Sequence, residues 1–223
     1  MIPTSIAFRT IHIAYKTSTG TCFVLDYDNK EYYITAKHVV DGLKTDESIH
    51  IFFDKKWNEF NIKLVGHSDA SDISVFVVPD LKFGGDSMKA SSNRIYYGQE
   101  IFFLGFPYNI QHRLPSREAA PPMPFVKKGI LSNFHITKQF KVLYLDGINN
   151  PGFSGGPIVY YNVKEKSFEL CGIISGFRYE KQYATFKESS TELEVKLNTG
   201  IIIGYSIEAA LELIKQNPIG VKF

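Results

Sequence analysis

Short segments rich in β-branched and aromatic residues recur along the whole chain and are separated by Gly, Pro, Asn, Asp and Ser. This pattern predicts β-strands bounded by turns. The predicted strands are residues 6–15, 21–27, 31–36, 49–53, 60–66, 73–78, 98–107, 125–136, 140–145, 156–162, 167–177 and 201–205. Because no alternation of strands with crossover helices is present, the sequence predicts an all-β protein.

A helical pattern occurs near the C-terminal end. Its apolar stripe consists of Ile207, Ala210, Leu211 and Ile214, at the spacing of one helix face. Ser206 can cap the N-terminus of this helix, and Glu208 is favourable in its first turn. The pattern stops before Pro218, so we expect a short C-terminal helix.

Two polar segments interrupt the strand pattern. Residues 109–124 contain four prolines and show no periodicity, which predicts a crossover loop between residues 1–108 and 125–223. Residues 178–200 are unusually polar for a connection, yet Leu193, Val195 and Leu197 alternate with charged residues. This alternation predicts a projecting hairpin.

Composition narrows the class of protein. A chain of 223 residues with 44% hydrophobic content can form one large β domain or two small ones. A net charge of +2 with interspersed signs does not favour a nucleic-acid partner. The chain begins without a secretory signal pattern and contains no run near the roughly 18 apolar residues of a membrane span. We therefore expect a cytoplasmic protein with no membrane partner.

The two cysteines predict neither a disulfide bond nor a metal site. Cys22 and Cys171 are far apart and no CxxC pair is present, so neither a disulfide nor a zinc site is predicted. We expect Cys22 to pack as a free thiol. No metal and no cofactor are expected.

Candidate chemistry centres on Ser154, which lies in the glycine-rich segment 152–156. Glycines on both sides of a serine allow successive backbone amides to point at one spot beside its hydroxyl group. That arrangement is what an oxyanion hole requires. Because so short a motif also fits a glycine-rich turn with a surface serine, the rest of the chain must decide.

The order of residues along the chain limits the choice of catalytic machinery. In the nucleophile elbow of α/β-hydrolases the acid and the histidine follow the serine, but no histidine follows Ser154 and the last one is His135. A subtilisin-like order would need an acid before His38, such as Asp26 or Asp28, in a chain with crossover helices. The remaining order is His, Asp, Ser.

Three segments supply that order. Residues 34–40 end a predicted strand at His38, and residues 71–78 place Asp72 directly before an alternating apolar strand. Together with residues 152–157 they resemble the three signature segments of chymotrypsin-fold serine proteases. The resemblance spans nearly the whole chain and is greatest to the stand-alone bacterial trypsin-like peptidases and the HtrA/Deg protease domain.

This resemblance implies a fold of two antiparallel six-stranded β-barrels with a short C-terminal helix. Residues 1–108 would form the first barrel, which carries His38 and Asp72 and ends with the strand in 98–107. Residues 125–223 would form the second barrel with Ser154. No residues remain for a PDZ domain, so we expect a protease domain alone.

The resemblance also implies the roles of the site residues in a serine endopeptidase. Ser154 would be the nucleophile, His38 the general base and Asp72 the group that orients the histidine. The backbone N–H groups of Gly152 and Ser154 would form the oxyanion hole. A protein or peptide substrate would add a strand along Ser175, Gly176 and Phe177.

Other acids and histidines match the family segments less well. Asp69 is the alternative to Asp72, but it lies in loop context instead of preceding a strand. The remaining histidines are expected on the surface or in strand packing, and they are His12, His50, His67, His112 and His135.

The residue before the serine departs from the family pattern. At the place of Phe153, zymogen-activated relatives carry an Asp that pairs with a newly cut N-terminus, and HtrA-like relatives often carry Asn. We therefore expect no activation by N-terminal clipping, and the sequence leaves open whether the oxyanion loop is formed at rest. Control of activity is expected instead from residues 109–124 and 178–200 and from a regulatory protein partner.

Specificity is predicted from the floor of the S1 pocket, which in this family is the residue six positions before the nucleophile. That residue is Ile148, and Asp146 is the alternative. Phe177 would narrow the pocket wall, so we expect cleavage after small or medium apolar residues. Two other functions stay open at this point, namely a catalytically silent peptide-binding module and an esterase on the same fold.

Overall fold

The computed structural model describes residues 2–84, 88–112, 121–186 and 189–222. Within these residues one sheet contains β1 (Thr10–Tyr15), β2 (Ser18–Tyr27), β3 (Lys30–Thr35), β4 (Ser48–Phe53), β5 (Lys56–Asn61), β6 (Lys63–His67), β7 (Ser74–Val77) and β14 (Val221–Lys222). The second sheet contains β8 (Glu100–Gly105), β9 (Phe125–Ile136), β10 (Lys141–Asp146), β11 (Pro157–Asn162), β12 (Ser167–Phe186) and β13 (Ser189–Ser206). The helices are α1 (Thr4–Phe8) and α2 (Glu208–Gln216).

All strand pairs of the two sheets are antiparallel, and the all-β prediction is confirmed. The second sheet closes as a barrel in the order β10-β13-β12-β11-β8-β9. The first sheet is a path, β5-β4-β1-β2-β3-β7-β6, with β14 on β3. Two backbone hydrogen bonds, from Asp46 N to Ile62 O and from Ile62 N to Glu47 O, continue the pairing of β4 with β5. The first sheet is thus a half-barrel with seven strands in its path, and the predicted chymotrypsin-like fold is confirmed.

The strand β8 lies in a different unit from the predicted one. It pairs with β9 and β11 in the second barrel, whereas the sequence placed it at the end of the first. Ile101 and Phe103 of β8 are buried in the cluster that fills this barrel, with Leu143 and Ile174. The apolar face of β8 thus finds its partners in the second barrel, which chain order alone does not reveal.

The N-terminal segment also differs from its prediction as one strand over residues 6–15. Residues Thr4–Phe8 form a one-turn helix, which is closed by the bond from Arg9 N to Ser5 O. The hydroxyl of Thr10 then donates to Ile6 O at 2.9 Å. This side-chain bond ties the helix to the start of β1, an alternative to strand geometry that Thr offers locally.

Three apolar clusters form the core. One fills the first sheet around Ile13 and Phe76, and one fills the barrel around Phe103 and Leu143. The third contains Phe23 of the first sheet, Val159 and Leu170 of the barrel, and Ile214 of α2. A continuous apolar cluster therefore joins the two sheets and the C-terminal helix, and the free thiols of Cys22 and Cys171 are buried in these clusters.

The C-terminal helix forms at the predicted place but begins differently. Ser206 provides no cap, because its Oγ accepts from Lys141 N at 3.0 Å. The carboxylate of Glu208 instead accepts from Ser92 N and Ser92 Oγ, at 2.8 and 2.7 Å. Burial raises the pKa of Glu208, but these hydrogen bonds outweigh burial and hold the pKa below its ordinary value. Across the described residues, the helices are too short or too polar to span a membrane.

The polar segment near the C-terminus is the extended part of a hairpin. Strands β12 and β13 pair from Gly172 with Ser206 out to Phe186 with Ser189, and bulges interrupt the ladder at three places. This agrees with the predicted hairpin over 178–200, of which residues 187–188 lie outside the described part. Residues 113–120 of the predicted crossover loop lie outside it as well.

Candidate active site

His38 follows β3 in a short 3-10 helix, Lys37–Val40. Val39 and Val40 are buried beside it and anchor the turn, while the side chain of His38 remains 54% exposed. The backbone of Lys37 donates to Asp72 O at 3.2 Å. The end of β3 and the segment before β7 are thus held together by main-chain as well as side-chain contacts.

Asp72 orients the ring of His38. One carboxylate oxygen lies 2.6 Å from Nδ1 of His38, and the other accepts from the backbone N–H of His38 at 2.9 Å. Burial raises the pKa of Asp72, but the hydrogen bonds from His38 and Ser175 outweigh burial and hold the pKa below its ordinary value. The carboxylate therefore stays ionised and holds the histidine with its proton on Nδ1. Asp69, the alternative acid, is exposed.

Ser175 takes part in the site in a way that the sequence did not indicate. Its hydroxyl donates to Oδ2 of Asp72 at 2.6 Å. The pairing of β12 with β13 shifts between Ile174 and Gly176, so Ser175 lies at a β-bulge. A bulge re-aims a side chain out of its regular alternation, and a bulge of this kind has no reliable signature in a single sequence.

Ser154 lies in a turn whose next position, residue 155, accepts only glycine. Gly155 has a φ of +85°, and a Cβ at this residue would lie 2.0 Å from Thr21 O. Thr21 N donates to Ser154 O at 2.9 Å, which fixes the serine beside β2. The hydroxyl of Ser154 donates to Ser175 O at 3.0 Å. In this conformation its proton is therefore directed at the β12 backbone instead of at His38.

The loop before the serine presents backbone amides beside it. Gly152 has a φ of +105°, and a Cβ there would lie 2.1 Å from Phe106 O. The carbonyl of Gly152 accepts from Thr21 Oγ1 at 2.7 Å, so the next peptide group cannot rotate freely. Within the described part of the chain, the N–H groups of Gly152 and Ser154 donate to no other protein group. Both remain available to a substrate oxygen.

Phe153 does not obstruct the site. Its side chain is fully buried and packs edge-on against Phe103, with 5.2 Å between the ring centroids. A Cβ at Gly105 would lie 2.7 Å from the Phe153 ring, so this glycine makes the space for the ring. Phe153 therefore anchors the loop before Ser154 in the interior of the barrel.

Comparison with known families decides the relationship. The sequence model for the trypsin-like peptidase domain matches residues 20–164, which make up more than half of the chain and include His38, Asp72 and Ser154. The chain belongs to this family. No curated protein sequence matches the chain.

Solved structures give the same fold. The trypsin-like peptidase domain superimposes on the HtrA-type protease AlgW, determined with a tripeptide, with a TM-score of 0.62 at 20% identity. That match covers 96% of this chain and 61% of the AlgW chain, so this chain spans about three fifths of AlgW. An inactive serine-to-alanine mutant of Rv3671c from M. tuberculosis H37Rv gives a TM-score of 0.61 at 13% identity, with 96% and 89% coverage. At such low identity these likenesses show the chymotrypsin-like fold alone.

The residues predicted to bind substrate are partly or largely exposed. Ser175, Gly176 and Phe177 are partly exposed on β12, and a Cβ at Gly176 would meet nothing within 4 Å. Ile148 is 54% exposed, and its side chain reaches toward Gly200. Of these residues, Ser175 contacts Ser154, since its carbonyl oxygen accepts from the Ser154 hydroxyl at 3.0 Å.

Asp146 is the second candidate for the pocket floor, and it lines an outer cavity of about 470 Å³ together with Ser132, Tyr144 and Thr199. Ile148 does not line this cavity. The two side chains nevertheless approach the same place, because a Cβ at Gly200 would lie 3.9 Å from Oδ1 of Asp146 and 4.0 Å from Cδ1 of Ile148.

The other histidines have roles in packing or lie at the surface. His12 is buried, and His67 bonds to Ser74 Oγ and Leu43 O, while His50 and His135 are exposed. Among the described residues no three His, Cys, Asp or Glu side chains form a cluster that fits a metal ion.

Proposed function

We propose that this trypsin-like peptidase domain is a serine endopeptidase that works through a His38-Asp72-Ser154 triad and an acyl-enzyme. The observation that carries the proposal is the 2.6 Å contact between Asp72 and Nδ1 of His38, next to a serine framed by glycines with available amides. A nucleophile, a base, an orienting acid and oxyanion donors are the parts that acyl transfer needs.

The reaction begins with a rotation of the nucleophile. The hydroxyl of Ser154 leaves Ser175 O and turns to Nε2 of His38, which is the unprotonated nitrogen because Asp72 holds the proton on Nδ1. The amide of the residue before the scissile bond is a suitable replacement donor for Ser175 O, since a substrate strand along β12 has its N–H groups directed there. Binding of substrate would thus release the nucleophile.

Bond making and breaking then follow the geometry of the site. Oγ of Ser154 attacks the scissile carbonyl carbon, its proton passes to Nε2 of His38, and the oxyanion accepts from the amides of Gly152 and Ser154. Collapse of this intermediate breaks the C–N bond, and the amine leaves with the proton from His38. Water repeats the sequence on the acyl-enzyme, gives its proton to His38 and restores Ser154.

The test of this function is covalent labelling together with turnover. A fluorophosphonate probe should label Ser154, and Ser154→Ala or His38→Ala should lower kcat by about 10⁶-fold if the triad acts as a unit. Asp72→Asn should lower kcat by about 10⁴-fold, because the amide holds the wrong histidine tautomer. Ser132→Ala, at an exposed serine on β9, is the matched control and should label like wild type.

Two results would contradict the proposal. Labelling that persists in Ser154→Ala would place the nucleophile elsewhere. A well-folded wild type that neither reacts with the probe nor hydrolyses peptides or esters would instead be a silent peptide-binding module, the alternative favoured by the Ser154 hydroxyl bonding to Ser175 O. Matched ester and amide substrates separate an endopeptidase from an esterase, since only the former turns over the amide.

Narrow or conditional activity is a further part of the proposal. The segments 109–124 and 178–200 flank the cleft by family resemblance, and loops of this kind gate many active sites. Tyr108, just before the first segment, donates its backbone N–H to Pro151 O of the oxyanion loop at 2.9 Å. This bond is a direct connection between the start of the crossover loop and the catalytic centre.

A further inference from the structure

Lys127 on β9 reaches the loop that carries the oxyanion amides. Its Nζ donates to Ile148 O at 2.6 Å and to Oδ1 of Asn150 at 2.5 Å. The same ammonium lies 5.4 Å from the centroid of the Phe153 ring. One side chain from outside the loop thus contacts the start, the middle and the end of residues 148–153.

The ammonium of Lys127 is committed to these contacts. In the described part of the chain no carboxylate lies within ion-pair distance of its Nζ, and burial lowers its pKa. Hydrogen bonds from an ionised donor are shorter and about twice as strong as neutral ones, and a cation near an aromatic face adds further attraction. The charge is therefore used to hold neutral groups of the loop.

The neighbouring lysine shows that this contact is specific. Lys128 follows on the same strand, points to the other side of the sheet as strand alternation requires, and pairs with Glu100 at 2.5 Å. Its side chain is 60% exposed. The two lysines are adjacent and chemically identical, but only Lys127 contacts the oxyanion loop.

The groups that Lys127 holds also hold one another. Asn150 O accepts from Phe153 N at 3.3 Å, which closes the turn that contains Gly152. Nδ2 of Asn150 donates to the hydroxyl of Tyr108 at 3.1 Å. Movement of Asn150 would therefore move the peptide groups on both sides of Gly152.

We propose that Lys127 is a positioning residue whose ammonium clamps residues 148–153 in the conformation that presents the Gly152 and Ser154 amides to the substrate. Its catalytic consequence rests on the function proposed above, whereas the clamp itself is a property of the folded loop.

The experiment compares Lys127→Met, Lys127→Arg and Lys128→Met in two measurements. The first is hydrogen–deuterium exchange of peptides that cover residues 148–154, which needs no catalysis. We expect Lys127→Met to speed exchange at Phe153, whose N–H donates to Asn150 O, by about tenfold or more, because opening of the loop then requires no break in charge-assisted bonds. Lys128→Met should exchange like wild type, and Lys127→Arg should restore part of the protection.

The second measurement is steady-state hydrolysis of an ester substrate. Loss of one oxyanion donor lowers kcat by about 10²–10³-fold, so a loop that is displaced for part of the time should lower kcat by about tenfold or more and leave KM nearly unchanged. A structural role that affected only stability would lower Tm without this selective effect on kcat. Partial recovery of kcat in Lys127→Arg, at unchanged KM, is the signature of a positioning charge.

Each result decides the proposal. Wild-type exchange and kcat in a folded Lys127→Met would overturn the clamp. If wild type itself fails to label or hydrolyse, the proposed function fails, but exchange in residues 148–154 still decides the clamp. If Lys127→Met does not fold, Asn150→Ala removes one acceptor at the protein surface, and wild-type exchange in that variant overturns the clamp.

Discussion

His38 and His12 differ in exposure and in hydrogen-bond partners, and this difference suits His38 to proton transfer and His12 to packing. His38 is half-exposed and faces a carboxylate. His12 is buried, stacks on Phe106 at 4.9 Å between ring centroids, accepts from Gln111 and bonds to Oδ1 of Asn109 at 3.2 Å. Burial lowers the pKa of His12 to about 4, although the Asn109 bond opposes this. His12 is therefore neutral in the folded protein.

A pH-dependent stability follows for His12. Its pKa lies below the ordinary 6.5, so between pH 6.5 and 4 the unfolded chain binds more protons and the free energy of unfolding falls as pH falls. At pH 4.5 this loss should be about 2 to 3 kcal/mol relative to pH 7.5. Urea unfolding of His12→Phe should show a pH dependence smaller by that amount, whereas His50→Gln, at an exposed histidine, should match wild type. An equal pH dependence in His12→Phe would contradict the assignment.

At the residue scale, the sequence indicated the candidate triad residues but not the roles of the residues that contact them. Residue order, the glycine frame and the family resemblance predicted His38, Asp72 and Ser154 as the triad, and in the structure Asp72 lies 2.6 Å from Nδ1 of His38. The roles of Ser175 and Lys127 were not predicted, because a bulge directs the first and a contact across 21 residues defines the second. Neither feature produces a local pattern in one sequence.

At the element scale, local patterns predicted the positions of most strands but not which strands pair with each other. Alternation identified most strands, since it reports which face is buried. It did not report that β8 completes the second barrel, because that depends on which apolar face β8 meets after the long connection from β7. Two smaller errors each depend on one hydrogen bond. Thr10 donates to Ile6 O and supports α1 where a strand was predicted, and Ser206 accepts from Lys141 N instead of capping α2.

The loop between β10 and β11 should determine specificity. The apolar side chain of Ile148 is exposed on this loop, and the Lys127 ammonium lies 2.6 Å from the Ile148 carbonyl oxygen. A Lys or Arg side chain beside Ile148 would be desolvated against an apolar residue and near the like charge of Lys127. We expect cleavage after Val, Ala or Leu, with basic residues disfavoured at least about tenfold, or about 1.4 kcal/mol in the transition state.

Profiling with a peptide library measures this preference directly. Ile148→Asp should shift cleavage toward basic residues, because the new carboxylate can pair with them, and Asp146→Asn should leave the profile unchanged. A dominant basic preference in wild type that is lost in Asp146→Asn would show that Asp146 forms the floor.

At the scale of the whole molecule, the proposed catalytic centre lies where the two sheets meet. His38 and Asp72 belong to the first sheet, and Ser154 and Ser175 belong to the barrel. The apolar cluster between the sheets holds them at a fixed distance. Assembly of the site therefore depends on long-range packing, which explains why residue order predicted the participants but not the resting hydroxyl of Ser154.

Thr21 provides a second polar connection across this junction, beside the bond from Ser175 to Asp72. It is fully buried on β2, its hydroxyl donates to Gly152 O at 2.7 Å, and the same oxygen accepts from Phe106 N at 3.2 Å. Its backbone also holds Ser154 O and, through Thr21 O, the hydroxyl of Thr35. One threonine of the first sheet thus fixes the oxyanion loop of the second.

Thr21→Val should separate stability from catalysis at this junction. Valine has nearly the same shape but leaves Gly152 O and Phe106 N unsatisfied in the interior, so the free energy of unfolding should fall by about 1–3 kcal/mol. Release of the Gly152 carbonyl should also lower kcat, by about fivefold for each 1 kcal/mol of lost positioning. Thr17→Val, at an exposed threonine before β2, is the control, and its free energy of unfolding should stay within about 0.5 kcal/mol of the wild-type value. Urea unfolding and ester hydrolysis measure the two effects, and a destabilised Thr21→Val with wild-type kcat would show that the first sheet supports the loop without positioning its amides.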